Sequence, residues 1–174
     1  LAVCVVRDPE VKARIKRYVV EGMGVYFSLR ESLRWPKLPK KIERMAKKFA
    51  AETERVPVLI FVCLDHERVK QGMKMTLSAV MKFLRNPHIL HWSTIATYAS
   101  VFPSMQNLLL AARGLGLATR INTYPLMFKG RIESILGIPK HVEPVAMIYL
   151  GYPDSPFVRT KRIPSEQSTH YDRW

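Results

Sequence analysis

An α+β fold in three layers, α/β/α, is what this sequence predicts, and three observations predict it. The runs "LAVCVVRD", "VPVLIFVCLD" and "EPVAMIYLGYP" are short, apolar and valine-rich or β-branched, as strands are. The stretches between them space apolar residues by three and four, as helices do. The second run is apolar at every position from Val56 to Leu64, which suits a strand in a sheet covered by helices on both sides. A chain of 174 residues, 48% hydrophobic and 24% charged, is long enough for one domain with a real core and is not composed like a disordered segment.

The elements follow in order. Asp8 stands where it can cap a helix that opens on Pro9 and Glu10. That helix places Val11, Ile15, Tyr18 and Val19 on one face and Lys12, Arg14, Lys16 and Arg17 on the other. The proline-punctuated "WPKLPK" precedes a second basic helix, "KKIERMAKKFAAETE". After the second strand, a methionine-rich helical segment is expected from Gln71 to Leu84, broken by Asn86-Pro87. A further helix is expected from Ser93 to Leu115. "TRINTY" reads as extended, "KGRIESILGIP" as a short helix, and the polar stretch from residue 154 to 174 as an extended tail. No internal repeat or low-complexity segment is present.

Within the Ser93–Leu115 helix, Met105, Leu108, Leu109, Ala112 and Leu115 share a face, and Leu110 with Ala111 cover most of the rest. A helix so apolar is expected to be buried. Gln106, Asn107 and Arg113 form a narrow polar stripe on it, which must find partners inside the molecule, across a subunit interface or on a ligand. Gly114 and Gly116 read as a C-terminal cap; they end a helix instead of opening one, so they are no dinucleotide fingerprint.

The net charge of +14 favours anionic partners such as nucleic acid, anionic membrane or phosphorylated small molecules. Cys4 and Cys63 sit in separate strands outside any metal spacing, and two buried free thiols are expected. His88 and His91 have no third ligand nearby, so no metal is expected. No P-loop, H-E-x-x-H, C-x-x-C or G-x-S-x-G occurs, and no acid–base pair announces itself. A protein that leaves the chemistry to a cofactor has this appearance, and so does a non-enzyme. The longest apolar run is too short to cross a bilayer as a helix, so a soluble, cytoplasmic protein is expected. The chain opens on Leu1 inside a strand, from which an upstream portion is expected. Arg159, Lys161 and Arg162, held between Pro156 and Pro164, suit a phosphate; solvated surface charge is the plainer alternative.

Taken together, "RDPE", "VPVLIFVCLD", "ASVFPSMQNLLLAARGLGLAT", "ILGIP", "EPVAMIYLGYP", "KRIP" and "THYDRW" resemble, in order, the FMN-dependent nitroreductase family over nearly the whole chain. The resemblance implies a mixed sheet flanked by helices, in a single domain over residues 1–174. It also implies a homodimer with FMN at the subunit interface, where NADH or NADPH reduces the flavin. The flavin then reduces a small electrophilic acceptor, a nitroaromatic, a quinone or similar, in a ping-pong cycle. It places Ile121, Asn122, Thr123 and Tyr124 beside the flavin ring and Arg162, with Lys161 or Arg159, on the FMN phosphate. The family's N-terminal FMN-phosphate motif would precede "LAVCVVRD", and trimming and loss are both open. The competing expectation is a basic module that contacts nucleic acid or an anionic surface through the early helices. Against it, the cations are not interleaved with exposed aromatics and no nucleic-acid motif is present. A family member that holds flavin without turnover is the third.

Overall fold

The structure is a computed structural model that describes residues 1–30, 40–72, 78, 81, 85, 86, 88–158 and 161–173. Among the described residues, four strands carry it: β1 (Ala2–Val6), β2 (Val58–Asp65), β3 (Ala118–Asn122) and β4 (Val142–Gly151). The helices are α1 (Pro9–Arg30), α2 (Lys40–Arg55), α3 (His66–Gly72), α4 (Ile89–Ala99), α5 (Val101–Gly114) and α6 (Lys129–Leu136). A 3-10 helix, Tyr124–Phe128, leads into α6, and a second, Ser165–Gln167, lies in the tail.

The strand order is β1-β2-β4-β3, every pairing antiparallel, so β2 and β4 are central and β1 and β3 form the edges. β2 is buried from Leu59 to Leu64 because both of its faces are covered. Leu59, Phe61 and Cys63 join Ile15 and Val19 of α1, Ile132 of α6, and Met147 and Tyr149 of β4 in one core. Ile60, Val62 and Leu64 join Val101 of α5 and Ile148 in another, with Met105, Leu108 and Leu109 packed against it. Alternation along one strand thus feeds two helix layers, which is the three-layer α/β/α arrangement expected. Each fully buried aliphatic or aromatic side chain here contributes about 1.5–3 kcal/mol of transfer free energy.

Local signals set the boundaries. Asp8 Oδ1 accepts from the backbone N–H of Glu10 (2.7 Å) and Val11 (3.1 Å), capping α1 as its sequence requires. Gly116 (φ 76°) and Gly137 (φ 63°) take the left-handed conformation after α5 and α6, and Leu117 N–H and Ile138 N–H close the ends on Ala112 O and Glu133 O (both 2.9 Å). Gly22 lies where α1 crosses the 3-10 helix; a Cβ there would overlap the Tyr124 carbonyl.

Several expectations need correction. The helix expected over Ser93–Leu115 is two helices, starting earlier at Ile89 and breaking at Ser100. Pro103 is the cause: it has no N–H for the carbonyl four residues back, and its ring crowds that carbonyl. Lys12 is not on the solvent face of α1. It is 6% exposed, and its Nζ donates to Val56 O (2.9 Å), tying α1 to the α2–β2 corner. α5 is covered on one side only: Val101 and Ala112 are buried, whereas Phe102 is 49% and Leu110 60% exposed. Leu115, expected on the covered face, lies past the helix end and is exposed. Cys63 is buried but Cys4 only partly so. "WPKLPK" up to Pro39 and most of the Gln71–Leu84 segment lie outside the described residues. No helix among the described residues is long and apolar enough to cross a membrane.

Candidate functional site

β3 is an edge strand, with β4 as its ladder partner, and this position decides what each of its residues can do. Arg120 and Asn122 pair with Tyr149 and Met147 and share their face; Ile121 pairs with Ile148 and points the other way, toward the α5 layer. Along the outer side of an edge strand, alternate backbone N–H and C=O groups have no ladder partner. Ile121 is 42% exposed and Thr123 is exposed. Tyr124 is half-buried, its ring 5.5 Å from that of Tyr26.

Asn122 is 4% exposed and turned into the core. Its Oδ1 accepts from Tyr124 N–H (2.9 Å), and its Nδ2 donates to the Tyr149 hydroxyl (3.0 Å). The Tyr149 hydroxyl is 2.8 Å from Thr53 Oγ1, and the Thr53 hydroxyl lies 2.8 Å from Phe49 O. Thr53 has one proton and donates it to Phe49, so Tyr149 must donate to Thr53. The result is a one-way chain from Asn122 through Tyr149 and Thr53 to Phe49 that pins β3 to α2. Burial pushes the Tyr149 hydroxyl above its ordinary pKa, against the lowering effect of these hydrogen bonds, so it remains a neutral donor. Beside it, the Arg120 guanidinium lies between the rings of Phe49 (4.3 Å) and Tyr149 (4.6 Å) and forms an ion pair with Glu52. A cleft of about 270 Å³ opens next to Arg120, lined among others by Arg55, Pro57, Thr119 and Tyr152.

The outer stripe of α5 carries Phe102, Gln106, Leu110 and Arg113, at spacings of four, four and three, all exposed. Asn107 is exposed beside them. The polar stripe read from the sequence therefore faces outward, set among apolar side chains. Arg113 holds the start of the tail: its guanidinium stands 3.2 Å from the centroid of the Phe157 ring. Farther along, Lys161 and Arg162 are exposed and make no hydrogen bond or ion pair among the described residues. Arg159 lies outside the described residues.

A polar cluster that the sequence did not announce sits at the start of β4. Glu143 Oε2 meets His66 Nε2 (2.8 Å) and accepts from the Tyr98 hydroxyl (3.0 Å), while Oε1 accepts from Lys129 Nζ (3.1 Å). These partners come from α3, α4 and α6, so one carboxylate joins both helix layers across the sheet. Burial opposes ionisation of Glu143, but the hydrogen bonds from Lys129, His66 and Tyr98 outweigh it and hold the carboxyl below its ordinary pKa. No spacing signal marks such a cluster, because its members lie up to 77 residues apart.

The family is decided by sequence comparison. The pattern of the Nitroreductase family matches residues 2–152 of this chain. The chain belongs to that family. A protein of Methanothermobacter thermautotrophicus, provisionally assigned as an NADH dehydrogenase/NAD(P)H nitroreductase, is 33% identical over 131 residues, covering 72% of this chain and 55% of that one. Human iodotyrosine deiodinase 1 is 26% identical over 165 residues, 94% of this chain and 50% of its own length. The chain thus spans about half the length of the curated relatives it matches. Among solved structures, the hypothetical oxidoreductase YcnD of Bacillus subtilis superposes with a TM-score of 0.66 at 18% identity, over 99% of this chain and 57% of that one. The NADPH:FMN oxidoreductase of Vibrio harveyi gives 0.61 at 16%, over 99% and 59%. At these identities the likeness establishes the nitroreductase fold.

Proposed function

We propose that the protein is an FMN-dependent oxidoreductase of the nitroreductase family that takes electrons from NADH or NADPH and delivers them to a small electrophilic acceptor by a ping-pong mechanism. The observation that carries the reading is the pairing of an open edge strand with a half-covered amphiphilic helix on the same side of the sheet. Ile121 offers an apolar side chain beside backbone groups that have no ladder partner among the described residues, which suits a flat ring bordered by hydrogen-bonding atoms. FMN, when bound, supplies the hydride acceptance and the onward electron transfer.

The chain's own residues bind and orient. Arg162, with Lys161 and Arg159, provides charge-assisted hydrogen bonds to the phosphate dianion. Ile121 and Thr123 flank the ring, and Asn122 and Tyr124 hold the strand–turn junction that presents them. Two copies meet through α5 and α4, which expose the large apolar side chains of Phe102, Leu110, Trp92 and Ile95, and FMN lies at that interface.

Purified from its natural host at full length, the protein is expected to be yellow and to bleach when NADH or NADPH is added without oxygen. A protein that stays colourless after incubation with FMN and gel filtration would overturn the reading; one that is yellow but never bleaches would leave only ligand storage. Arg162→Ala should weaken FMN affinity roughly 10- to 100-fold, the worth of one charge-assisted hydrogen bond. Its thermal midpoint should not move. Fluorescence titration with FMN measures this, and unchanged affinity removes Arg162 from the site.

A further inference from the structure

We propose that the outer face of α2 is a docking surface for an anionic phospholipid bilayer. At 100° per residue, Lys40, Lys41, Arg44, Lys47, Lys48 and Arg55 fall within about 120° of arc around the helix. Ala51 is the other residue in that arc, and all seven are exposed. Glu43 and Glu54 stand at its edge, and Glu54 is taken by Lys16 (2.5 Å). Glu52 is turned toward Arg120, reaching Lys48 only at 4.0 Å. Lys40, Lys41, Arg44, Lys47 and Arg55 have no ion-pair partner among the described residues.

The arrangement works against the isolated chain. Lys40–Arg44 and Arg44–Lys48 are like charges four apart, and Lys41–Arg44 and Arg44–Lys47 three apart, each pair repelling across one turn. Three of the cations also sit in the first turns of α2, where the helix dipole is already positive. A nearby array of anions adds attractions that offset both effects. The outer stripe of α1 does not share the bias: Glu10, Arg14, Arg17 and Glu21 balance, with Arg17 paired to Glu21 (2.6 Å). Six cations of the chain therefore stand together on one ridge.

The form of the ridge favours a membrane over nucleic acid. α2 is 16 residues long, about 24 Å, with its cations along one exposed face, so it can lie along a plane of headgroups. Lysines dominate it as mobile point charges, without an exposed aromatic among them for a base to stack on. α2 packs through Phe49 on the Phe61–Tyr149 side of the sheet, opposite Ile121, so docking leaves the candidate flavin edge open.

Co-sedimentation of the full protein with vesicles tests this, using phosphatidylcholine alone and three parts phosphatidylcholine to one part phosphatidylserine. Binding is expected to the mixed vesicles only, and to fall away as salt is raised from about 0.1 M to 1 M and the screening length shrinks roughly threefold. Each surface lysine is worth about fivefold in partitioning, so Lys40→Glu, Arg44→Glu, Lys47→Glu and Lys48→Glu combined should reduce it by more than roughly a hundredfold. Glutamates suit the start of a helix, and a matching set of glutamines, also good helix formers, controls for folding by circular dichroism. Equal partitioning to both vesicles, or retention by the glutamate variant, overturns the proposal. Retention on double-stranded DNA with no vesicle binding overturns it too, and assigns the ridge to nucleic acid.

Discussion

Glu143 holds three partners from three helices, and losing its charge should be felt as a change in how stability depends on pH. Its carboxyl is held below its ordinary pKa, so in the unfolded chain it binds a proton at a higher pH than in the fold. The stabilisation is therefore complete above the ordinary carboxylate value and is lost as pH falls through the folded one. Glu143→Gln should cost about 1–3 kcal/mol at neutral pH. The gap between the urea midpoints of variant and wild type should narrow as pH is lowered past about 4.3. A gap that stays constant with pH would mean the carboxylate's charge is not what its partners need. Cys63 behaves differently: burial, with Cys4 nearby, pushes its thiol up to about 11, so it stays protonated and packs as a small apolar side chain. Its apolar neighbours in "LIFVCL" made that burial legible in the sequence. Nothing local told of the Glu143 cluster or of the chain from Asn122 to Phe49, because both are made by residues that meet only when distant elements pack.

At the scale of elements, α1 depends on how closely it approaches the 3-10 helix. Gly22→Ala would drive a methyl group into the Tyr124 carbonyl, which cannot yield without moving the strand–turn junction. A cost of about 1–3 kcal/mol is expected from the overlap, read as a lower thermal midpoint. Gly130→Ala in α6 is the control, since nothing lies within 4 Å of its Cβ position and alanine is the better helix former. It should stabilise by about 0.5–1 kcal/mol, and equal effects at the two glycines would contradict this account. Element types were legible from periodicity and caps: Asp8-Pro9 opens α1 and Gly116 closes α5. The break at Ser100 was written in Pro103 as well, but the apolar periodicity running through it outweighed that signal. The 3-10 helix Tyr124–Phe128 had no periodicity to reveal it, being a single tight turn after a strand.

At the scale of the whole molecule, the proposed dimer would cover the exposed apolar side chains of α4 and α5 with a second copy. If the proposed dimer forms through α5, Leu110→Arg should convert it to monomer, because a charge facing its symmetry mate or buried apolar groups cannot be solvated. Sedimentation velocity measures this. A variant that stays dimeric would place the interface elsewhere, and one that loses FMN together with the dimer would tie the cofactor to the interface. By itself, the sequence determined the α+β class, the element types and the caps at Asp8 and Gly116 from spacing along the chain, and the surplus of positive charge from composition. Only the tertiary structure decided which neighbours on β3 face the core and which face outward, that Lys12 is inside, and that α5 is covered on one side. Those outcomes depend on which strand pairs with which and where the sheet ends, and strand pairing joins residues whose separation along the chain carries no local physical signal.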